Sequence, residues 1–284
     1  MGAALMQWTP LSPLEYFATL VQGESVPLLE AAASLAQVEQ AQPDIQAVLT
    51  EMDRLQQRLK QRLPADAGAL TRLRMLHHFF YDELGFSCNK NDYYAARNSY
   101  VHEVLRTRMG IPVSLAVLWL ELALAIGLQA QGVSFPGHFL VKVRMPEGQV
   151  VIDPVSGQSL SPEALEARLE PLRDGFGVDA EEVPLALYLQ AASARDILLR
   201  MLRNLKDIQR TQRHWAALVA VQDRLLVLQP EAWMEWRDRG LAHAELGAMP
   251  QAMSDLQVYL EHMPEAVDVP LLRSRLAQWR QAGM

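Results

Sequence analysis

Apolar residues fill the stretch from Leu115 to Ile126 on every side, and the only charge in it is Glu121. A helix apolar all round is buried on most faces. Gly110 and Pro112 punctuate its approach, Ser114 stands where an N-cap is expected, and Gly127 stops it. The run is broken by Glu121, Gly127, Gln129 and Gln131 before it reaches the roughly 20 residues a membrane span needs. Beyond a short loop, Phe139 to Val143 and Val150 to Ile152 read as two strands around Met145-Pro146-Glu147-Gly148, a hairpin signal. Two registers are open. A turn over Arg144 to Glu147 pairs Val143 with Gly148 and sets His138 opposite Asp153, whereas a turn centred on Glu147-Gly148 sets Asp153 against Lys142. The first is the expectation.

The first seventy residues pattern as helices opened by Ser12-Pro13, Pro27 and Pro43. The third carries Ile45, Val48, Leu49, Met52, Leu55, Leu59 and Leu63 at spacings of three and four, one buried stripe. A further helix runs from Ala67 to about Leu84. Gly85 to Asn98 is polar and turn-rich, a loop leading to a helix over Ser99 to Met109. Ser161-Pro162-Glu163 opens a short helix through Leu169. A boundary is expected between Asp174 and Pro184.

From Leu185 the pattern is continuously helical and repeats. Gln229-Pro230-Glu231 and Met263-Pro264-Glu265 stand 34 residues apart, the tetratricopeptide period. Trp236, Gly240, Gly247, Ala252, Leu256 and Pro264 occupy the consensus offsets, Arg239 departs from the usual Leu, and Leu271 to Trp279 reads as a capping helix. Such arrays have no chemistry of their own and bind peptides or pack on a neighbour. Arg200, Arg203, Lys206 and Arg210 form a basic stripe opposite the apolar face of their helix, either a solvated face or a seat for an acidic partner.

Composition narrows the field. Half of the 284 residues are apolar, enough for two domains and an ample core. The net charge of -7 disfavours nucleic acid and anionic membrane faces as partners. One cysteine excludes internal disulfides and fits a reducing compartment. The first residues lack a secretion signal or myristoylation motif, so a cytoplasmic location is the default expectation. Adjacent His77 and His78 point in different directions from a helix, and no metal-ligand spacing occurs elsewhere, so no metal or other cofactor is expected.

The chemistry-bearing residues are Ser114, His138 and Asp153. A residue at a helix N-terminus followed by a His and an Asp on neighbouring strands resembles the Cys-His-Asp site of transglutaminase-like and papain-like enzymes, in which a thiolate is favoured by the helix end, His takes the proton and Asp orients the imidazole. The segments NDYYAARNSYVHEVLRTRMGIPVSLAVLWLELA, PGHFLV and VIDP together are similar to the SirB-one family of bacterial proteins, from about Leu73 onward. That resemblance implies an α+β fold, mostly helical: a transglutaminase-like core over residues 71–184, with an N-terminal helical segment over 1–70 packed on it and tetratricopeptide-like hairpins over 185–284. Ser114 stands where those enzymes carry the thiol. A serine needs a strong general base and an oxyanion hole to act, so the three residues form either a serine hydrolase or acyl-transferase site or a scaffold without turnover. Cys88 is the other nucleophile to weigh, with only Lys90 nearby to favour its thiolate. Tyr93, Tyr94, Arg97 and Asn98 either line the groove beside Ser114 or pin their loop. The main expectation is a pseudoenzyme core that holds a protein or peptide partner through its repeats.

Overall fold

The computed structural model describes residues 11–40, 43–176 and 183–281. Three N-terminal helices, α1 (Pro13–Gln22), α2 (Leu28–Ser34) and α3 (Ile45–Lys60), begin the chain. Ser12 and Glu15 form a reciprocal capping box on α1, and the Asp44 carboxylate accepts from the Ala47 amide at 2.8 Å on α3. The apolar stripe of α3 is buried through Val48, Met52, Leu55 and Leu59. Helix α4 (Ala69–His77) continues into a π-helical turn over His78–Glu83, which aims Tyr81 at Pro154 in the loop between the last two strands of the sheet.

Two short strands, β1 (Ser87–Cys88) and β2 (Met109–Gly110), pair in parallel and set Cys88 opposite Gly110. Between them lies α5 (Val101–Thr107), closed by Arg108 in the left-handed region at φ 61°. The central helix α6 (Pro112–Ala125) follows, then a sheet of order β3-β4-β5-β6 made of Ala130–Val133, Leu140–Met145, Gly148–Ile152 and Ser159–Leu160. Helix α7 (Pro162–Phe176), α8 (Leu185–Tyr188) and the helices α9 (Ala194–Gln212), α10 (Trp215–Leu228), α11 (Trp233–Glu245), α12 (Met249–His262) and α13 (Val269–Gln281) complete the chain.

The reason for this arrangement is α6. Leu115, Leu118, Trp119 and Leu122 are enclosed on all sides, and each such side chain contributes roughly 2 kcal/mol by leaving water. They meet Phe17, Met52 and Leu55 of the N-terminal helices, Val141 and Val143 of the sheet, Leu198, Leu202 and Leu205 of α9, and Val221 and Leu225 of α10 in one continuous interior. The other face of the sheet, through Val133, Leu140 and Val151, packs on Leu165 and Leu169 of α7. A separate cluster around Leu256, Tyr259, Leu272 and Leu276 holds the last hairpin and its capping helix together.

The hairpin register is a correction. Met145 pairs with Gly148 and Val143 with Val150, so the turn is Pro146-Glu147 alone and neither expected register occurs. A two-residue turn with Gly148 at φ 139° satisfies more of the ladder than a four-residue one. The start of α6 is also corrected: Ile111 is the N-cap, Pro112 opens the helix, and Ser114 lies in its first turn rather than before it. Helix α7 passes Leu169 and continues through Pro171. The expected boundary at 174–184 falls in part outside the described residues.

Arg239, the departure from the repeat consensus, has a structural explanation. Its guanidinium reaches Asp223 of α10 at 2.8 Å and both carboxylate oxygens of Asp255 on α12 at 2.8 and 2.7 Å, so it ties three helices together. Gly240 beside it allows the close approach, since a Cβ there would lie 3.1 Å from the Ala252 carbonyl oxygen.

Candidate active site

His138 and Asp153 are brought together by a turn, not by direct ladder pairing. Val141 pairs with Ile152, so one further step would set Asp153 across from Leu140, with His138 its diagonal neighbour on the same face. Gly137 at φ 69° and the His138 amide, donating to the Phe135 carbonyl at 3.1 Å, bend the chain just before β4. The result is a contact of 3.0 Å between His138 Nε2 and Asp153 Oδ1. A carboxylate only accepts, so the proton of the neutral ring lies on Nε2 and Nδ1 is left with the basic lone pair.

Asp153 is held from several sides. Oδ1 also accepts from the Val155 amide at 3.0 Å, and Oδ2 accepts from both terminal nitrogens of Arg168 at 3.3 and 3.2 Å. Burial pushes its carboxyl up, but the His138, Val155 and Arg168 hydrogen bonds outweigh burial and hold it below the usual carboxylate range. Tyr81 donates to the Pro154 carbonyl oxygen at 3.1 Å and fixes the loop behind it.

Ser114 has other partners. Its side chain is wholly buried, and Oγ donates to the Asn98 carbonyl at 2.6 Å, lies 3.1 Å from the Ile111 carbonyl, and accepts from the Ile111 amide at 3.1 Å. It makes no hydrogen bond to His138. The hydroxyl therefore closes the first turn of α6 onto the preceding loop. Cys88, opposite Gly110 at the entry to α6, is half-buried; burial raises its thiol pKa, Lys90 opposes this, and the nearby Asp153 charge adds to it.

The four loop residues divide. Tyr93 and Tyr94 are exposed, pack edge to face at 5.2 Å, and with Ile111 and α9 border a cavity of about 340 Å³. Asn98 is buried and donates to the carbonyls of Asp92 and Tyr93 while accepting from Asn89, so it pins the loop. Arg97 pairs with exposed Asp92. The basic stripe divides as well. Lys206 is tied at 2.7 Å to both Glu235 and Asp238, Arg210 pairs with Asp207 at 3.1 Å, and Arg200 and Arg203 enter no ion pair among the described residues.

Sequence reasoning missed Arg168 and Tyr81. Arg168 lies fifteen residues beyond Asp153 in a helix whose amphipathic pattern gave no sign of which residue it serves. Tyr81 lay inside an apparent α-helix, and the π-helical turn that redirects it has no sequence signal we could read. Among the described residues, no group of three or more His, Cys, Asp or Glu side chains is placed to hold a metal ion, and no helix is long and apolar enough to cross a membrane.

Residues 46–203 match the family model for the transglutaminase-like superfamily, and residues 205–277 match a tetratricopeptide-repeat model. The chain is 35% identical over 271 residues to a UPF0162 protein of Xylella fastidiosa (strain Temecula1), covering 94% of each chain. It is 28% identical to Protein SirB1 of Salmonella typhimurium, covering 81% of this chain and 84% of that one. It is 27% identical to the UPF0162 protein YchA of Escherichia coli over similar shares. No solved structure matches. With a central helix on a small antiparallel sheet followed by helical hairpins, and with these relatives along nearly its whole length, the chain belongs to the SirB1 family of the transglutaminase-like superfamily.

Proposed function

We propose that this protein is a protein-interaction or regulatory component, built on a transglutaminase-like core without turnover, that holds its partner through the repeat helices. The observation that carries this reading is the state of Ser114. A nucleophilic serine needs an exposed oxygen, a base in hydrogen-bond reach and donors converging on the developing oxyanion. Ser114 Oγ is enclosed and satisfied by the backbone of Asn98 and Ile111 instead. His138 and Asp153 then serve as a structural pair that ties the turn before β4 to the loop after β5. Burial raises the thiol pKa of Cys88 and so disfavours a thiolate there. The proposed location is the cytoplasm, in keeping with the single cysteine.

Activity-based labelling tests this directly. The purified full chain is treated with a fluorophosphonate probe and a chloroacetamide probe, each beside a His138→Ala variant. The expected result is no labelling of Ser114 and no His138-dependent labelling of Cys88. Covalent capture of either residue that disappears in His138→Ala would overturn the proposal and establish a working nucleophile.

A further inference from the structure

Helices α8 and α9 and the turn before His138 line an open cavity of about 310 Å³, bordered by Ser134, Pro136, Gln190, Asp196, Arg200 and Arg203. We propose that this cavity is a carboxylate-binding site for an acidic peptide segment of a partner protein, with Arg200 and Arg203 as its two anchors. The inference rests on the interaction reading above and names the chemistry of the partner.

Charge balance is the first support. The chain carries a net -7, and three cations of the repeat region are each engaged by two carboxylates: Lys206 by Glu235 and Asp238, Arg237 by Asp238 and Asp268, and Arg239 by Asp223 and Asp255. Arg200 and Arg203 form no ion pair with any described residue. Arg203 donates only to the neutral amide oxygen of Gln229, at 3.3 Å. The acid that shares the cavity, Asp196, is turned back to the α9 N-terminus, where its Oδ2 accepts from the amide and hydroxyl of Ser193 at 2.9 and 2.7 Å. Burial of Arg200 disfavours its charge and the nearby Arg203 adds repulsion, which Tyr93 partly offsets. An incoming carboxylate relieves that repulsion, and two guanidiniums one helical turn apart offer it paired hydrogen bonds.

The second support is what lies next along α9. The cavity bordered by Tyr93, Tyr94, Ile111 and Ile208 begins at Asn204, directly after Arg203, and its Tyr93 lies near enough to Arg200 to feel the guanidinium charge. The partner segment therefore carries Asp or Glu, with an apolar or aromatic residue near enough to reach the second cavity.

The test uses the full chain, immobilised, and two fluorescent degenerate peptide pools. One pool has the pattern X-X-X-Glu-X-X-X and the other has Gln in place of Glu. The acidic pool is expected to be retained about tenfold more than the neutral one, the low end of what charge-assisted hydrogen bonds give. Arg200→Gln/Arg203→Gln, which removes both charges but keeps polar, unbranched stems, is expected to remove that preference, and Arg210→Gln to leave it unchanged; thermal melts establish that both variants are folded. Equal retention of the two pools, or a preference that survives in folded Arg200→Gln/Arg203→Gln, would overturn the carboxylate site. Those outcomes leave the labelling experiment untouched, so the two readings fail separately.

Discussion

Ser114 Oγ donates a 2.6 Å hydrogen bond to the carbonyl oxygen of Asn98, sixteen residues earlier, and so closes the loop of Tyr93 and Tyr94 onto the start of the central helix. Asn98 in turn holds that loop through its side chain, donating to Asp92 and Tyr93. The residue in the place of a nucleophile thus acts as a clasp.

Removing the clasp has a defined cost. Ser114→Ala leaves a buried amide and carbonyl with weaker partners, an effect of about 1–3 kcal/mol. A lowered denaturant midpoint with unchanged slope is expected, together with faster hydrogen exchange of the Asn98 and Ile111 amides. A variant as stable as the parent would show that the hydroxyl is not structural.

Asp153 gives a pH dependence whose sign follows from its hydrogen bonds. Its folded carboxyl titrates below the ordinary value of 3.8, so its contribution is complete above that value and is lost as pH falls through the lower folded one. Asp153→Asn is therefore expected to be less stable than the parent at neutral pH, with the gap closing as pH falls below 3.8 and through the lower folded value. Denaturant titrations at several pH values measure it, and a gap that stays constant into acid contradicts the assignment.

Arg239 is expected to be worth more than a surface pair. Its side chain is only 16% exposed, and Arg239→Leu leaves the carboxylates of Asp223 and Asp255 without their cation. The loss should be about 2–3 kcal/mol, below the roughly 3–5 of a fully buried pair because Asp223 is partly solvated. Arg239→Leu/Asp255→Leu should recover part of it; a double variant weaker than the single one in thermal melts argues against the charge explanation.

Gly157 closes the turn after Asp153, donating its amide to the Asp153 carbonyl at 2.8 Å with φ at 72°. A Cβ there would lie 2.6 Å from ring atoms of both His77 and Tyr81. Gly157→Ala combines left-handed strain with that clash and is expected to cost about 2 kcal/mol, or roughly 4–8 °C in melting temperature. A melt within a degree or two of the parent would contradict this.

The sequence made the main architecture legible because its signals are strong and local. The apolar run of α6, the stripe of α3 and the 34-residue period of the repeats all persist in the structure. The strand pairing was less legible, since Pro146 and Glu147 permit several turns and only three-dimensional packing chooses one. His138 and Asp153 still meet because the bend at Gly137 compensates for the shifted register. Pro112 was the overlooked sign that α6 starts before Ser114, as proline favours the first helical position. Strand β3, with Ala130, Gln131 and Gly132, lacks the β-branched pattern that marks a strand. Arg239 stood out in the sequence, but its partners sit sixteen residues away on either side, beyond any local pattern.

The interior that joins α1, α3, α6, α9 and α10 is continuous, whereas α12 and α13 close on a cluster of their own. A cut just before α9 would strip the transglutaminase-like part of one wall, so the two halves of the chain are not interchangeable modules. The terminal hairpin and its cap are instead expected to fray first, with the Arg239 tie to Asp223 as their hold on α10.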